Sequence, residues 1–461
     1  MPKVRKEIKR VENAQHHPDT KLEIEKVDEI PRENRYLFWT SSDKESVKLY
    51  HGHVVDVLKS MPSRSVHMCG TSPPYWGLRD YKTNSHHEIG SEPLLDCDTK
   101  GQAQCGKCFV CVMVAVFREV KRVLRHDGTL WLNLGDSWNS NHGKGFHTHE
   151  YIGGVNKKRR MIAKHAIQLG ESGLHHGSLC GAPWRVALAL QADGWVLRQD
   201  IIWHKPSPIP ESIRNRCTKA HEYIFLFAQG TDYYYDAEAI KTEATPSTRV
   251  VTGKIGSLGQ AIASGRKPSG NGKPGSVIET GIRANRRSVW TVSWQGYNGA
   301  HFATFPPKLI EPCILAGTSE HGCCKKCGAP FKRIVEETKL TRECLNEYVK
   351  RVGEKGTGNS CANSVAGVES RTIGWEPTCY HEDIEVIPCT VLDPFIGSGT
   401  SVCVSLEHGR RGIGIDLNEQ YLQHQAITRI EGTMLAVPAL NGLLPKREIK
   451  TTMLGKGKRL K

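Results

Sequence analysis

The sequence predicts an α/β protein built around a mostly parallel sheet. Short apolar strands recur along its 461 residues, and each is tied to a stretch with helical spacing. Two of these strands end in turns made rigid by proline or tight by glycine, the usual place for a ligand at the edge of such a sheet.

The elements follow in order. Residues 1–35 are mostly charged and form an expected N-terminal arm. They lack the roughly 7–15-residue apolar core of a secretory signal, so a cytoplasmic location is expected. Residues 66–71 (VHMCGT) read as a strand that runs into TSPPYWGLRDY. Met113, Val116, Phe117, Val120 and Leu124 then trace one helical face before the strand TLWLNL. Far downstream VLDPF runs into GSGT, with a helix starting at about Thr400 and a further strand over Gly412–Asp416. Two stretches interrupt this pattern: 137–181, rich in Gly, His and basic residues, and 242–287, rich in Gly, Ser and basic residues. Loops of such length in a compact domain are usually functional or disordered.

Composition excludes several classes. No apolar run approaches the roughly 18 residues of a membrane span, so no membrane partner is expected. Sixteen cysteines in a reducing compartment favour metal sites over disulfides where they cluster. A formal net charge of +15 points to a polyanionic partner, with nucleic acid first. The basic tail, 435–461, fits either a phosphate-contacting or a solubilising role.

The stretch Asp393-Pro394-Phe395-Ile396-Gly397-Ser398-Gly399-Thr400 has the form of a strand, a tight turn and a helix start, with Asp416 ending the next strand. Backbone N–H groups and a carboxylate placed this way suit a cofactor with ribose hydroxyls. A dinucleotide fold would want a third glycine, and position 402 is Val. In Ser72-Pro73-Pro74-Tyr75 two prolines fix φ and remove two donors, so a rigid strand end presents carbonyls beside an aromatic ring. That arrangement suits a planar base bearing an amino group.

Together, TSPPYW and DPFIGSGT resemble the catalytic and cofactor motifs of DNA amino-methyltransferases that use S-adenosylmethionine. Their order along the chain resembles the circularly permuted β group, which methylates cytosine N4 or adenine N6. GTLWLNLGDSW, GWVLRQDIIWHKPSPIPESIRNRCTKAHEYIFLFAQ, RRSVW, HFATFPPKLIEPCILAG and RRGIGIDLNEQY are similar to further family segments in the family order. One departure is that the family's usual Gly-Asp before the catalytic strand is Gly52-His53 here, with Asp56 close by.

The resemblance implies a Rossmann-like methyltransferase sheet, circularly permuted, and the cysteine spacing adds an expected zinc-knuckle insertion. Its expected parts are a catalytic half at 36–241, a target-recognition region at 242–287, a cofactor-closing segment at 288–318, an inserted segment at 319–382 and a cofactor half at 383–434. The implied activity is methyl transfer from S-adenosylmethionine to N4 of a flipped cytosine in double-stranded DNA, beside a cognate restriction endonuclease in a bacterial or phage setting. Adenine N6 is the alternative, since Ser at the first motif position resembles the N4 enzymes without excluding N6.

The resemblance also assigns roles. Ser72 and the Pro73 carbonyl would hold the amine, Pro74 would stiffen the turn, and Tyr75 would stack on the base. Trp76 would join that platform or sit in the core. Asp393, Phe395, Gly397, Ser398, Gly399, Thr400 and Asp416 would bind the cofactor. In the target-recognition region, Arg249, Lys254, Arg266, Lys267, Lys273, Arg283, Arg286 and Arg287 are candidate DNA contacts.

Two cysteine clusters carry metal-ligand spacing. Cys324-x2-Cys327 with Cys379-x-His381 offers four S or N ligands for a structural Zn2+, and Cys323 could replace either neighbour. Cys97, Cys105, Cys108 and Cys111 offer a second set, with Cys111 near a helix start. Three rival readings fit the sequence less well. Cytosine C5 methylation needs a cysteine after proline in a catalytic loop, and the Pro-Cys pairs here, 312–313 and 388–389, lie elsewhere. A catalytically dead zinc-bearing DNA-binding protein would not need intact motifs, and a dehydrogenase would need the third glycine.

Overall fold

The computed structural model describes residues 35–77, 89–94, 105–139, 147–152, 155–160, 174–175, 177–208, 210–243, 249–250, 278–279, 283–293, 305–340 and 367–437. Among the described residues the main sheet has nine strands. In chain order they are β1 (Leu37–Thr40), β2 (Val47–His51), β3 (Val66–Thr71), β4 (Leu124–Leu134), β5 (Val196–His204), β6 (His221–Ala228), β7 (Val289–Thr291), β8 (Thr390–Asp393) and β9 (Arg411–Asp416). They lie in the order β1-β2-β9-β8-β3-β4-β6-β5-β7. All but β1 and β6 run in one direction.

The catalytic strand β3 and the cofactor strand β8 are sheet neighbours, Val391 opposite Met68 and Leu392 opposite Cys69, although hundreds of residues separate them. All six residues of β3 are buried, as a central parallel strand covered on both faces requires. Side chains alternate between the faces. Cys69, Leu130, Leu132 and Leu392 pack under α1 (Val54–Ser60), α2 (Phe109–Val123) and α3 (Ala182–Ala192). On the other face, Met68, Trp131 and Val391 pack with α4 (Pro307–Gly317). Helix α2 buries Met113, Val116, Phe117 and Val120 along the expected stripe and stops at Leu124, whose backbone is extended. Helices α5 (Thr400–Glu407) and α6 (Ile427–Ala436) close the end of the sheet around Leu49, Val402, Leu406 and Ile430.

The described residues between 319 and 387 include two antiparallel pairs of strands. Cys323–Cys324 pairs with Val386–Ile387, and Phe331–Leu340 pairs with Gly367–Pro377 in a long antiparallel hairpin. Arg333 ties that hairpin to the body through Asp236 at 2.9 Å and Glu320 at 2.8 Å. The arm 1–35, the loops 137–181 and 242–287 and the tail 435–461 lie wholly or largely outside the described residues. Among the described residues no helix is long and apolar enough to cross a membrane.

Candidate active site

The C-terminal ends of β2, β9, β8, β3 and β4 form one edge, and both motifs lie along it. Asp393 ends β8 and is 1% exposed. Its carboxylate accepts from the Thr71 hydroxyl at 2.6 Å, from the Phe395 amide at 3.0 Å and from the Ser401 hydroxyl. Burial pushes its pKa up against the pull of these donors. Asp393 therefore faces inward and links the last residue of β3 to the turn after β8.

That turn uses glycine where the backbone demands it, with φ of 50° at Gly397 and 85° at Gly399. Asp416, at the end of β9, accepts the Gly397 amide on one oxygen at 2.9 Å and the Asn418 amide on the other at 2.8 Å. Burial raises its pKa to about 6 despite those two bonds, with a smaller push from Asp393. Ser398 and Thr400 are buried and face α6, where Arg429 donates to the Ser398 carbonyl and hydroxyl at 2.8 Å and to the Thr400 hydroxyl at 3.0 Å. Phe395 is half-buried at the same edge. His53 stands at the N-cap position of α1 without a side-chain capping bond, 3.7 Å from Asp56.

After β3 the chain turns through half-buried Ser72, buried Pro73, and half-buried Pro74 and Tyr75. The Tyr75 ring lies against Gly135, where a Cβ would come within 2.7 Å of Cε2. Its hydroxyl reaches Glu222 at 2.7 Å and Asn133 at 2.9 Å, and the Ser72 hydroxyl donates to it at 3.2 Å. Glu222 also pairs with Lys205. Trp76 belongs to the core: it is 3% exposed and its indole donates to the Glu92 carbonyl at 2.7 Å.

Sequence reasoning missed Glu222, Asn133, Lys205 and Arg429. The available signal was a charged residue set against an apolar run, as in HEYIFLFA and in ITRIEG.

The ligand atoms of Cys324, Cys327, Cys379 and His381 all lie within 4.8 Å of one another, with Cys324 Sγ 3.6 Å from His381 Nδ1. Cys323 is not an alternative ligand there. It is fully buried and its thiol points to the Ile387 carbonyl at 3.4 Å, because alternate residues of a strand face opposite ways. It gathers instead with His67 and Cys389. Both His67 ring nitrogens are engaged there, Nδ1 accepting the Thr390 amide at 3.0 Å and Nε2 meeting the Gly328 carbonyl at 2.8 Å.

Cys105, Cys108 and Cys111 also cluster, with the Cys105 and Cys111 sulfurs 3.4 Å apart. Cys111 lies in the first turn of α2, and Cys97 is outside the described residues. The cysteines of the C5 rival are hidden: Cys313 is fully buried inside α4 and Cys389 is 1% exposed.

Among the candidate DNA contacts, Arg286 is half-buried with its guanidinium 4.7 Å over the Trp290 ring, while Arg283 and Arg287 are exposed. Lys254, Arg266, Lys267 and Lys273 lie outside the described residues, and of Arg249 only the backbone is described.

Comparison with known proteins places these motifs in context. The chain matches the model of a family described as DNA methylase over residues 66–325 and 389–428. It is 33% identical over 384 residues to the Type II methyltransferase M.Cfr9I of Citrobacter freundii, covering 83% of this chain and 87% of the relative. It is 33% identical over 380 residues to the Type II methyltransferase M.SmaI of Serratia marcescens, covering 82% and 89%. A solved structure titled PvuII DNA methyltransferase (cytosine-N4-specific) aligns over 88% of this chain and 96% of its own, at 15% identity and a TM-score of 0.41.

Proposed function

Because the chain belongs to the DNA methylase family, we propose that it methylates N4 of a cytosine swung out of double-stranded DNA, with S-adenosylmethionine as methyl donor. The observation that carries this reading is the Thr71–Asp393 hydrogen bond of 2.6 Å, which joins the strand end bearing Ser72–Tyr75 to the one bearing Asp393–Thr400.

The residues at this edge fit that cofactor. Each Asp416 oxygen accepts one backbone amide and keeps a lone pair for a ribose hydroxyl, and Gly397 and Gly399 supply the positive φ that the turn needs. Phe395 offers apolar contact at the same edge. Asp393, Ser398 and Thr400 act from the inside, fixing the turn through Thr71, Ser401 and Arg429.

When bound, the cofactor supplies an electrophilic methyl group on a sulfonium. An exocyclic amine is a poor nucleophile because its lone pair is delocalised into the ring. Ser72 Oγ and the Pro73 carbonyl would accept hydrogen bonds from its two N–H groups and turn the lone pair outward. Positioning of this kind lowers a barrier by roughly 7–11 kcal/mol in well-oriented systems. A serine is too weak a base to remove the proton, which leaves after the nitrogen is methylated. The Tyr75 ring would stack on the flipped base.

The chain order, β3 before β8 with the two adjacent in the sheet, supports the circularly permuted reading. The four clustered ligands support a structural Zn2+ at Cys324, Cys327, Cys379 and His381, since methyl transfer needs no metal. A second zinc at Cys105, Cys108 and Cys111 would need Cys97 or another donor. Exposed Arg287 and the basic residues of 242–287 would contact phosphates. We place the protein in the cytoplasm, protecting DNA from a cognate restriction endonuclease.

The test pairs Ser72→Ala with wild type, using unmethylated genomic DNA and labelled S-adenosylmethionine. The variant should lose at least about tenfold in transfer rate while calorimetry finds its cofactor affinity unchanged. Cofactor binding without any transfer by the wild type would instead favour a dead enzyme.

A further inference from the structure

We propose that Glu222 is a positioning residue for methyl transfer, acting through the Tyr75 hydroxyl to make Ser72 a pure hydrogen-bond acceptor. This rests on the amino-methylation reading above.

Strand β6 runs antiparallel to β4, so Glu222 near its start returns to the sheet edge where β4 ends. The side chain is 15% exposed and divides its oxygens. Oε1 pairs with Lys205, whose ammonium lies 4.3 Å over the Trp203 ring, and Oε2 takes the Tyr75 hydroxyl at 2.7 Å. Asn133 backs the same hydroxyl from β4. Its amide nitrogen donates to the Tyr223 carbonyl at 3.0 Å, which turns Oδ1 toward Tyr75 at 2.9 Å.

The direction of each bond follows from what the groups can do. A carboxylate only accepts, and so does Asn133 Oδ1; the single Tyr75 proton goes to the charged and nearer Glu222 oxygen, at 2.7 Å against 2.9 Å. The phenol oxygen is then left to accept, and the Ser72 hydroxyl donates to it at 3.2 Å. With its proton committed, Ser72 Oγ presents only lone pairs to an incoming NH2 group. Without the chain Glu222–Tyr75–Ser72, the serine proton would rotate freely and could face the amine it must hold. A half-buried carboxylate costs solvation, and a packing role alone would be served by an apolar side chain.

The test compares Glu222→Ala, Glu222→Gln, Tyr75→Phe and the double variant Tyr75→Phe/Glu222→Ala. Transfer to unmethylated genomic DNA is followed together with cofactor affinity by calorimetry and melting temperature. Glu222→Ala should lower kcat about tenfold, with KM for DNA and cofactor affinity within about twofold of wild type. Glu222→Gln should stay within about threefold, because its amide oxygen can accept the Tyr75 proton in place of the carboxylate. Adding Glu222→Ala to Tyr75→Phe should cost nothing more.

Wild-type kcat in Glu222→Ala, or losses that multiply in the double variant, would overturn the proposal. Should Glu222→Ala melt early, Tyr75→Phe alone carries the test, since it keeps the ring and removes only the hydroxyl; unchanged kcat there also overturns it. Failure of the wild type to label DNA would instead remove the methyl-transfer reading, and this inference with it.

Discussion

The hydroxyl of Thr71 donates across 2.6 Å to the buried carboxylate of Asp393, so the last residues of two adjacent parallel strands are fastened to each other. Each is followed at once by a motif of the site, Ser72–Tyr75 on one side and Phe395–Thr400 on the other. The bond fixes the spacing between the place where a base would sit and the place where a cofactor would sit.

Thr71→Val keeps the shape and removes the donor, leaving a buried carboxylate with fewer partners. Unfolding free energy should fall on the order of 1–3 kcal/mol, and Thr71→Ser should restore most of it. Denaturant titration measures this, and a Val variant as stable as wild type would show that the bond contributes nothing.

Cofactor binding should depend on pH through Asp416. Its folded pKa is raised to about 6, mainly by burial, so it holds a proton that an unfolded chain would already have released. Its ionisation therefore removes stability from the free protein as pH rises from about 4 to about 6. Ribose hydroxyls need the ionised form as acceptor, so affinity should climb through pH 6 and level off above it. Calorimetry from pH 5 to 8 checks this, and Asp416→Asn should flatten the curve. A wild-type affinity that is level across that range would contradict the assignment.

Purified protein never exposed to chelator should hold at least one Zn2+ per chain by elemental analysis. Cys327→Ser should lose it and lower the melting temperature; Cys323→Ser should keep it. Metal-free wild type would refute the knuckle. A second equivalent that disappears in Cys108→Ser would identify the other cluster as a site too.

The parts legible in the sequence were those governed by local chemistry. The strand at 66–71 has its expected bounds because Ser-Pro-Pro ends it, and α5 starts at Thr400 because the glycine turn precedes it. The gathering of Cys324, Cys327, Cys379 and His381 was legible because two short spacings suffice to bring such side chains together. Strand β4 begins earlier than TLWLNL suggested, at Leu124, because the chain leaves α2 directly into extended backbone with no turn residue to mark the change.

What stayed hidden depends on long-range pairing. Glu222 lies 147 residues from Tyr75 and meets it only because β6 returns antiparallel beside β4. Arg429 reaches the Ser398 and Thr400 hydroxyls from α6. Neither meeting follows from spacing along the chain.

The most direct test of the central claim is the identity of the methylated atom. Unmethylated DNA treated with the protein and S-adenosylmethionine is digested to nucleosides and analysed by mass spectrometry. The account predicts N4-methylcytosine, absent from the Ser72→Ala control. N6-methyladenine alone would contradict the choice of base, and no modified nucleoside at all would contradict the activity.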